Sequence, residues 1–173
     1  MTTLKELTHN NHVKAEAHAF TKLLLSGKIP SGIYATLLAN QLLQYQTLEH
    51  CAKHLLDTIP GLARSELIMQ DILDLDEPVI FFDITAEYCN HVKQLDDHGL
   101  LAHIYTKHMG DLYGGQILKK LVPGSGLMYG FDDRKEMIDQ LRNKLDISMA
   151  AEANYAFESV IKLFDRIADE YNL

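Results

Sequence analysis

Cysteine is scarce in this chain. Cys51 and Cys89 are the only two, and they form no Cys-x-x-Cys pair. They therefore suggest no cysteine-built zinc site and fit a reducing cytosol. Long hydrophobic runs are missing too: no stretch is apolar enough to span a bilayer. The first residues enter a polar helix directly, with no signal-peptide pattern. Basic charge is not in excess. The formal net charge is -8, which argues against a nucleic-acid partner that would need a concentrated basic face. Strand-like alternation is nearly absent, with Val79-Ile80-Phe81-Phe82 the one candidate β run. Repeats, low-complexity tracts and linkers are absent as well. Hydrophobic residues make up 47% and charged residues 23% of 173, enough for one domain with a real core. The expectation is a soluble cytoplasmic protein with no membrane or nucleic-acid partner, folded as a single domain over residues 1–173.

What is present reads as helix. Thr3 with Glu6 makes a capping box, and Gly27 follows Leu23-Leu24-Leu25 as a stop, which predicts a first helix from Thr3 to about Ser26. A second runs from near Ser31 towards His54, and Ile59-Pro60-Gly61 marks a turn. A third spans roughly 62–75, with Pro78 after it. A fourth begins near Thr85 and ends before Gly99, and a fifth runs from about Leu100 to Leu121. Val122-Pro123-Gly124-Ser125-Gly126 breaks the chain. Asp133 with Glu136 opens a further helix, and Ser148 caps the last.

The fifth helix carries the most information. Ile104, Met109, Leu112, Ile117, Leu118 and Leu121 recur near helical spacing, yet three glycines interrupt them. Each costs about 1 kcal/mol relative to alanine inside a helix. Gly110 and Gly114 are four apart and share a face, so something comes close to this backbone. A second helix would do, and so would a flat, bulky ligand. Asp111 puts a carboxylate beside the same strip, although spacing alone is equally consistent with a solvated one. His108 lies about 200° around the helix from Gly110 and should point away from that face. On the first helix, His12 and Glu16 are one turn apart. Glu16 can receive the second ring N–H of a metal-bound imidazole, or the two can be a plain surface pair.

These two segments together resemble the heme oxygenase family. His12-Val13-Lys14-Ala15-Glu16 matches its proximal His-x-x-Ala-Glu pattern. Tyr105-Thr106-Lys107-His108-Met109-Gly110-Asp111-Leu112-Tyr113-Gly114-Gly115-Gln116 matches its kinked, glycine-rich distal helix. Weaker likeness extends through Thr47 to Glu49, Arg64 to Ile72 and Phe157 to Phe164. The resemblance implies an all-α, single-domain, multi-helix bundle with heme between the first helix and the glycine-rich helix.

The implied function is oxidative opening of heme to biliverdin with loss of CO and ferrous iron. Heme is then both cofactor and substrate; O2 and external electrons are consumed. His12 is the implied iron ligand, with Glu16 beside it. Gly110 and Gly114 crowd the O2 side, and Asp111 orders water there for proton delivery. Lys5 and Arg142 match family cations that bind the propionates, and Tyr105 matches a tyrosine near the same heme edge. The electrons are expected from ferredoxin, common among soluble members, or from a flavoprotein reductase, with a biliverdin-using enzyme as a downstream partner.

Several positions depart from the family pattern, among them Glu49-His50-Cys51, which replaces an acidic run. His9 and Ile138 stand where lysines are expected, which leaves groups such as Lys144 for the propionates. Tyr113 replaces a serine of the distal motif. Two rival readings stay open: a helical heme carrier or sensor that does not degrade its ligand, and a thiaminase-II-like enzyme using Cys51 or Cys89 as nucleophile. A ferritin-like di-iron site needs two Glu-x-x-His pairs, and only Glu6 to His9 has that spacing.

Overall fold

A computed structural model describes residues 2–173. Ten α-helices form: α1 (Leu4–Ala17), α2 (Ala19–Leu25), α3 (Ser31–Cys51), α4 (Lys53–Leu56), α5 (Ser65–Leu75), α6 (Asp83–Val92), α7 (Asp97–Tyr113), α8 (Gly115–Leu118), α9 (Arg134–Arg142) and α10 (Ala150–Tyr171). Short 3-10 turns span Leu127–Tyr129 and Ile147–Met149. No β-strand forms among the described residues, so the all-α expectation holds. No helix among them is long and apolar enough to cross a membrane.

Several element boundaries differ from the sequence reading, each for a local reason. The first helix is two. His18 is extended, its Nδ1 accepts the Phe20 amide, and it thereby caps α2. The capping box at Thr3 and Glu6 forms on both sides as expected. Ser148 does not cap α10. Asp146 accepts the Ser148 amide instead, and Ser148 lies in the 3-10 turn before the helix. Asp133 precedes α9 without a side-chain cap. The glycine-rich helix starts earlier than expected, at Asp97, under an Asp96 cap on Gly99. It then breaks at Gly114 rather than continuing to Leu121.

The candidate β run is an extended strap without a strand partner. Asn40 of α3, fully buried, supplies what a neighbouring strand would. Its amide nitrogen donates to the Ile80 carbonyl at 2.7 Å, and its oxygen accepts from the Phe82 amide and the Thr85 hydroxyl. Buried backbone groups need partners, and one side chain here serves two of them.

Two apolar clusters fill the interior. One joins α2, α3, the strap and the end of α10 around Phe20, Tyr34, Tyr45 and Phe164. The other joins α3, α6, α7 and α9 around Leu48, Tyr88, Ile104, Leu112 and Leu141. A small third cluster ties Leu4 of α1 to Ala102 of α7 and to Met149 and Ala153. This junction positions the site, because α1 and α7 both leave it along α10.

Candidate functional site

The pairings along α10 fix the directions of its two neighbours. On α1, Leu7 meets Asn154 and Asn11 meets Asn154 and Glu158, and just beyond its end His18 meets Asp165. On α7, His103 meets Glu152, and the Thr106 hydroxyl reaches the Ala153 carbonyl at 3.3 Å. Both helices therefore run parallel to α10. Counted from the Leu4–Ala102 junction, His12 and Gly110 each stand eight residues on, about 12 Å at 1.5 Å per residue. They sit at the same height. Phe157 lies between them on α10, one turn beyond Ala153, with its ring edge-on to His12 at 5.6 Å. α1 and α7 thus both pack along α10.

Each glycine of the distal segment has its own role. A Cβ added at Gly110 would meet nothing within 4 Å, and at Gly114 only the Gly110 carbonyl. The bare strip faces open space, so no packed helix explains it. Gly115 is the opposite case: a Cβ there would come within 2.5 Å of the Tyr129 ring. That glycine lets the 3-10 turn pack against the break. With α7 ending here, the Leu112 carbonyl has lost a helical partner, and Arg134 supplies it with two donors at 2.9 and 2.6 Å.

His12 and Glu16 are both exposed, with His12 Nε2 3.6 Å from Glu16 Oε1. That is an ion-pair distance, too long for a hydrogen bond. Asp111 is not a solvated carboxylate. It is buried, and its Oδ2 accepts from the Tyr45 hydroxyl at 2.6 Å. Burial pushes its pKa up to about 6, against the hydrogen bond from Tyr45 and the nearby His108, Lys107 and Arg64. His108 points inward, as helical geometry requires. Its Nε2 lies 3.3 Å from Glu49 Oε1, while its buried Nδ1 has no partner. Lys107 donates to Gln44 Oε1 at 2.7 Å and lies over the Tyr45 and Tyr88 rings. Burial drives Lys107 down to about 8. A polar layer thus backs the glycine strip, and half of it comes from α3.

The proposed propionate cations differ in state. Lys5 is exposed on α1, two turns before His12, and makes no ion pair among the described residues. Arg142 is engaged: its Nη2 donates to the Tyr113 hydroxyl at 2.6 Å. Tyr113 itself is exposed and turned to α9, so the large residue in place of serine holds an arginine. Tyr105 is half-buried and packs on the Leu4–Ala102 junction. Ile138 is buried in the second cluster, so that position is core and offers no cation. His9 is exposed, and Lys144 is partly covered.

Sequence reasoning missed Tyr45, Gln44, Arg134 and the Phe157 contact to His12. All lie far along the chain from the groups they serve. Neither cysteine opens onto the glycine strip: Cys89 is buried with its thiol on the Leu43 carbonyl, and Cys51 packs against the second cluster.

An exposed histidine on α1 and a bare glycine backbone on α7, both borne on α10, suit a flat macrocycle. The heme oxygenase family model matches residues 1–166, and the chain belongs to that family. It is 32% identical to a heme oxygenase of Guillardia theta, over 97% of this chain and 86% of that protein. It is 29% identical to heme oxygenase 1 of Synechocystis, over 95% of this chain and 82% of that protein. The crystal structure of heme oxygenase-1 from Synechocystis in complex with heme superposes with a TM-score of 0.83 at 27% identity, covering 96% of this chain and 91% of that one. Heme oxygenase-2 from Synechocystis, in complex with heme and NO, gives 0.81 at 28% identity, covering 96% and 84%.

Proposed function

We propose that the protein binds heme in the cleft between α1 and α7 and opens it oxidatively to biliverdin. CO and ferrous iron are released, and O2 and electrons from an external donor are consumed. The observation that carries this reading is the Gly110–Gly114 strip. It is open to space and is backed by a buried carboxylate. Heme is the substrate, and its iron supplies the oxygen chemistry; the protein supplies binding, orientation and protons.

His12 would offer one ring nitrogen to the iron, and Glu16, 3.6 Å from the ring in the heme-free protein, would close on the other nitrogen to steady it. At Gly110 and Gly114, the absence of Cβ atoms lets the α7 backbone lie close to the macrocycle and limits the room beside it. Asp111 holds water. Tyr45 occupies Oδ2, and Oδ1 takes no hydrogen bond from the described residues. A group titrating near 6 can pass protons at neutral pH. The partnerless Nδ1 of His108 marks a second polar point in the same layer where water can bind. Lys5 and Arg142 bind the propionates. A guanidinium has five donors, so Arg142 can hold Tyr113 and a carboxylate together.

The electron donor is a ferredoxin-class protein, and the product passes to a biliverdin-using enzyme in the cytoplasm. The two free thiols fit that compartment.

The test is to add hemin and a reductant in air and follow the visible spectrum. Loss of the heme bands with appearance of biliverdin and CO is expected. Heme that survives repeated reduction with competent donors would establish a carrier instead.

A further inference from the structure

Two turns before Gly110 on α7, three helices bring metal-ligating groups together. They are His91 of α6, His103 of α7 and Glu152 of α10. We propose that these three side chains bind a divalent transition-metal ion, with zinc the best match to two imidazoles and a carboxylate. The donor atoms all lie within 4.8 Å of one another. His91 Nε2 is 2.9 Å and His103 Nε2 3.1 Å from Glu152 Oε2. Ligands bound tetrahedrally to one zinc ion stand about 3.3 Å apart, given bonds near 2 Å. The two nitrogen–oxygen distances are within a few tenths of an ångström of that spacing, and the two imidazole nitrogens, within 4.8 Å, close on the ion by side-chain rotation.

The surroundings are those of a built site. His103 is fully buried, and its Nδ1 meets the Tyr88 hydroxyl at 2.7 Å. That contact fixes the ring and leaves Nε2 for the ion, as partners of metal-bound histidines do. His91 stacks on Tyr155, with ring centroids 3.9 Å apart and planes 23° from parallel. Its orientation is thus held from the side. His91 and Glu152 are about one-third exposed, which gives the ion an entry and leaves a fourth position for water. The site shares no residue with the heme cleft, and its existence does not depend on heme turnover. It cross-braces α6, α7 and α10, the helix carrying the glycine strip among them.

The experiment is titration of the full-length, heme-free protein with Co2+, reading its visible d–d absorption, followed by displacement with Zn2+. One saturable equivalent is expected, removed by Zn2+. His91→Ala and Glu152→Gln should each weaken it more than tenfold, and Tyr88→Phe about tenfold. His12→Ala should leave it unchanged. Helical circular dichroism verifies that each variant is folded, and hemin binding does so for the variants that keep His12. The proposal is overturned if the wild type shows no saturable band. It is also overturned if the band persists at full affinity in folded His91→Ala and Glu152→Gln, or if it is lost in His12→Ala.

Discussion

Asp111 concentrates the chemistry at the scale of single residues. Its pKa is raised in the fold from 3.8 to about 6, first by burial. The native state therefore binds more protons than the unfolded chain between those values. Stability falls as pH rises through that window, and the ionised carboxylate costs roughly 3 kcal/mol above it. Asp111→Asn should relieve that cost. Urea denaturation should show the variant gaining stability over the wild type from pH 4 to pH 7, with no gain at the acid end. It should still bind hemin but open the ring slowly, since an amide cannot carry the proton. Biliverdin formed at the wild-type rate in single turnover would remove Asp111 from the proton path. His12 has a spectroscopic test. His12→Ala should lose the histidine-ligated heme spectrum, and added imidazole should restore it. An unchanged spectrum would place the iron ligand elsewhere.

At the scale of elements, two of the distal glycines make opposite predictions. Gly110 faces open space in the protein alone. Gly110→Ala should therefore stabilise the heme-free protein, by up to about 1 kcal/mol of helix propensity, while weakening heme binding or changing the ring position cut. Gly115 is pressed by Tyr129, and Gly115→Ala should destabilise by about 1–3 kcal/mol through overpacking. Denaturant midpoints of the two heme-free variants should move in opposite directions. Equal shifts would mean that the Gly110 strip is closed by protein. The strap over residues 77–82 is a second element held by few groups. Asn40→Leu would strip the Ile80 carbonyl and the Phe82 amide of their partners, at about 1–3 kcal/mol for each buried group left unpaired.

Heme orientation belongs to the whole molecule. Its two proposed anchors come from different ends of the chain, Lys5 on α1 and Arg142 on α9, and charge-assisted hydrogen bonds are worth about 1.5–3 kcal/mol each. A Lys5→Ala, Arg142→Ala double variant should bind heme more weakly and yield mixed biliverdin isomers, read by chromatography of the product. Unchanged affinity and isomer pattern would assign the propionates to other cations. In the proposed complex heme joins α1 to α7. Ligation at 100 times Kd should add about 2.7 kcal/mol to stability, seen as a higher Tm for the heme-loaded protein.

Helical periodicity, the Thr3–Glu6 box and the breaks near Gly27, Pro60 and Pro123 were legible in the chain because they are set by near neighbours. So was the pairing of His12 with Glu16 and of Gly110 with Gly114, since one helical turn fixes which residues share a face. The helix break at His18 was not legible, because that histidine caps α2 with the same ring that reaches Asp165 on α10. Whether Asp111 was solvated or buried was likewise open from spacing alone. Tyr45 decides it, and Tyr45 stands 66 residues away on α3. The same holds for Ile138, which alignment made a missing cation and packing makes core. It holds again for His91, His103 and Glu152, each unremarked in its own helix. Local sequence determined the helices and their faces, because their interactions span a few residues. Only the tertiary structure decided which faces meet, because burial, desolvation and shared donors arise when distant helices pack.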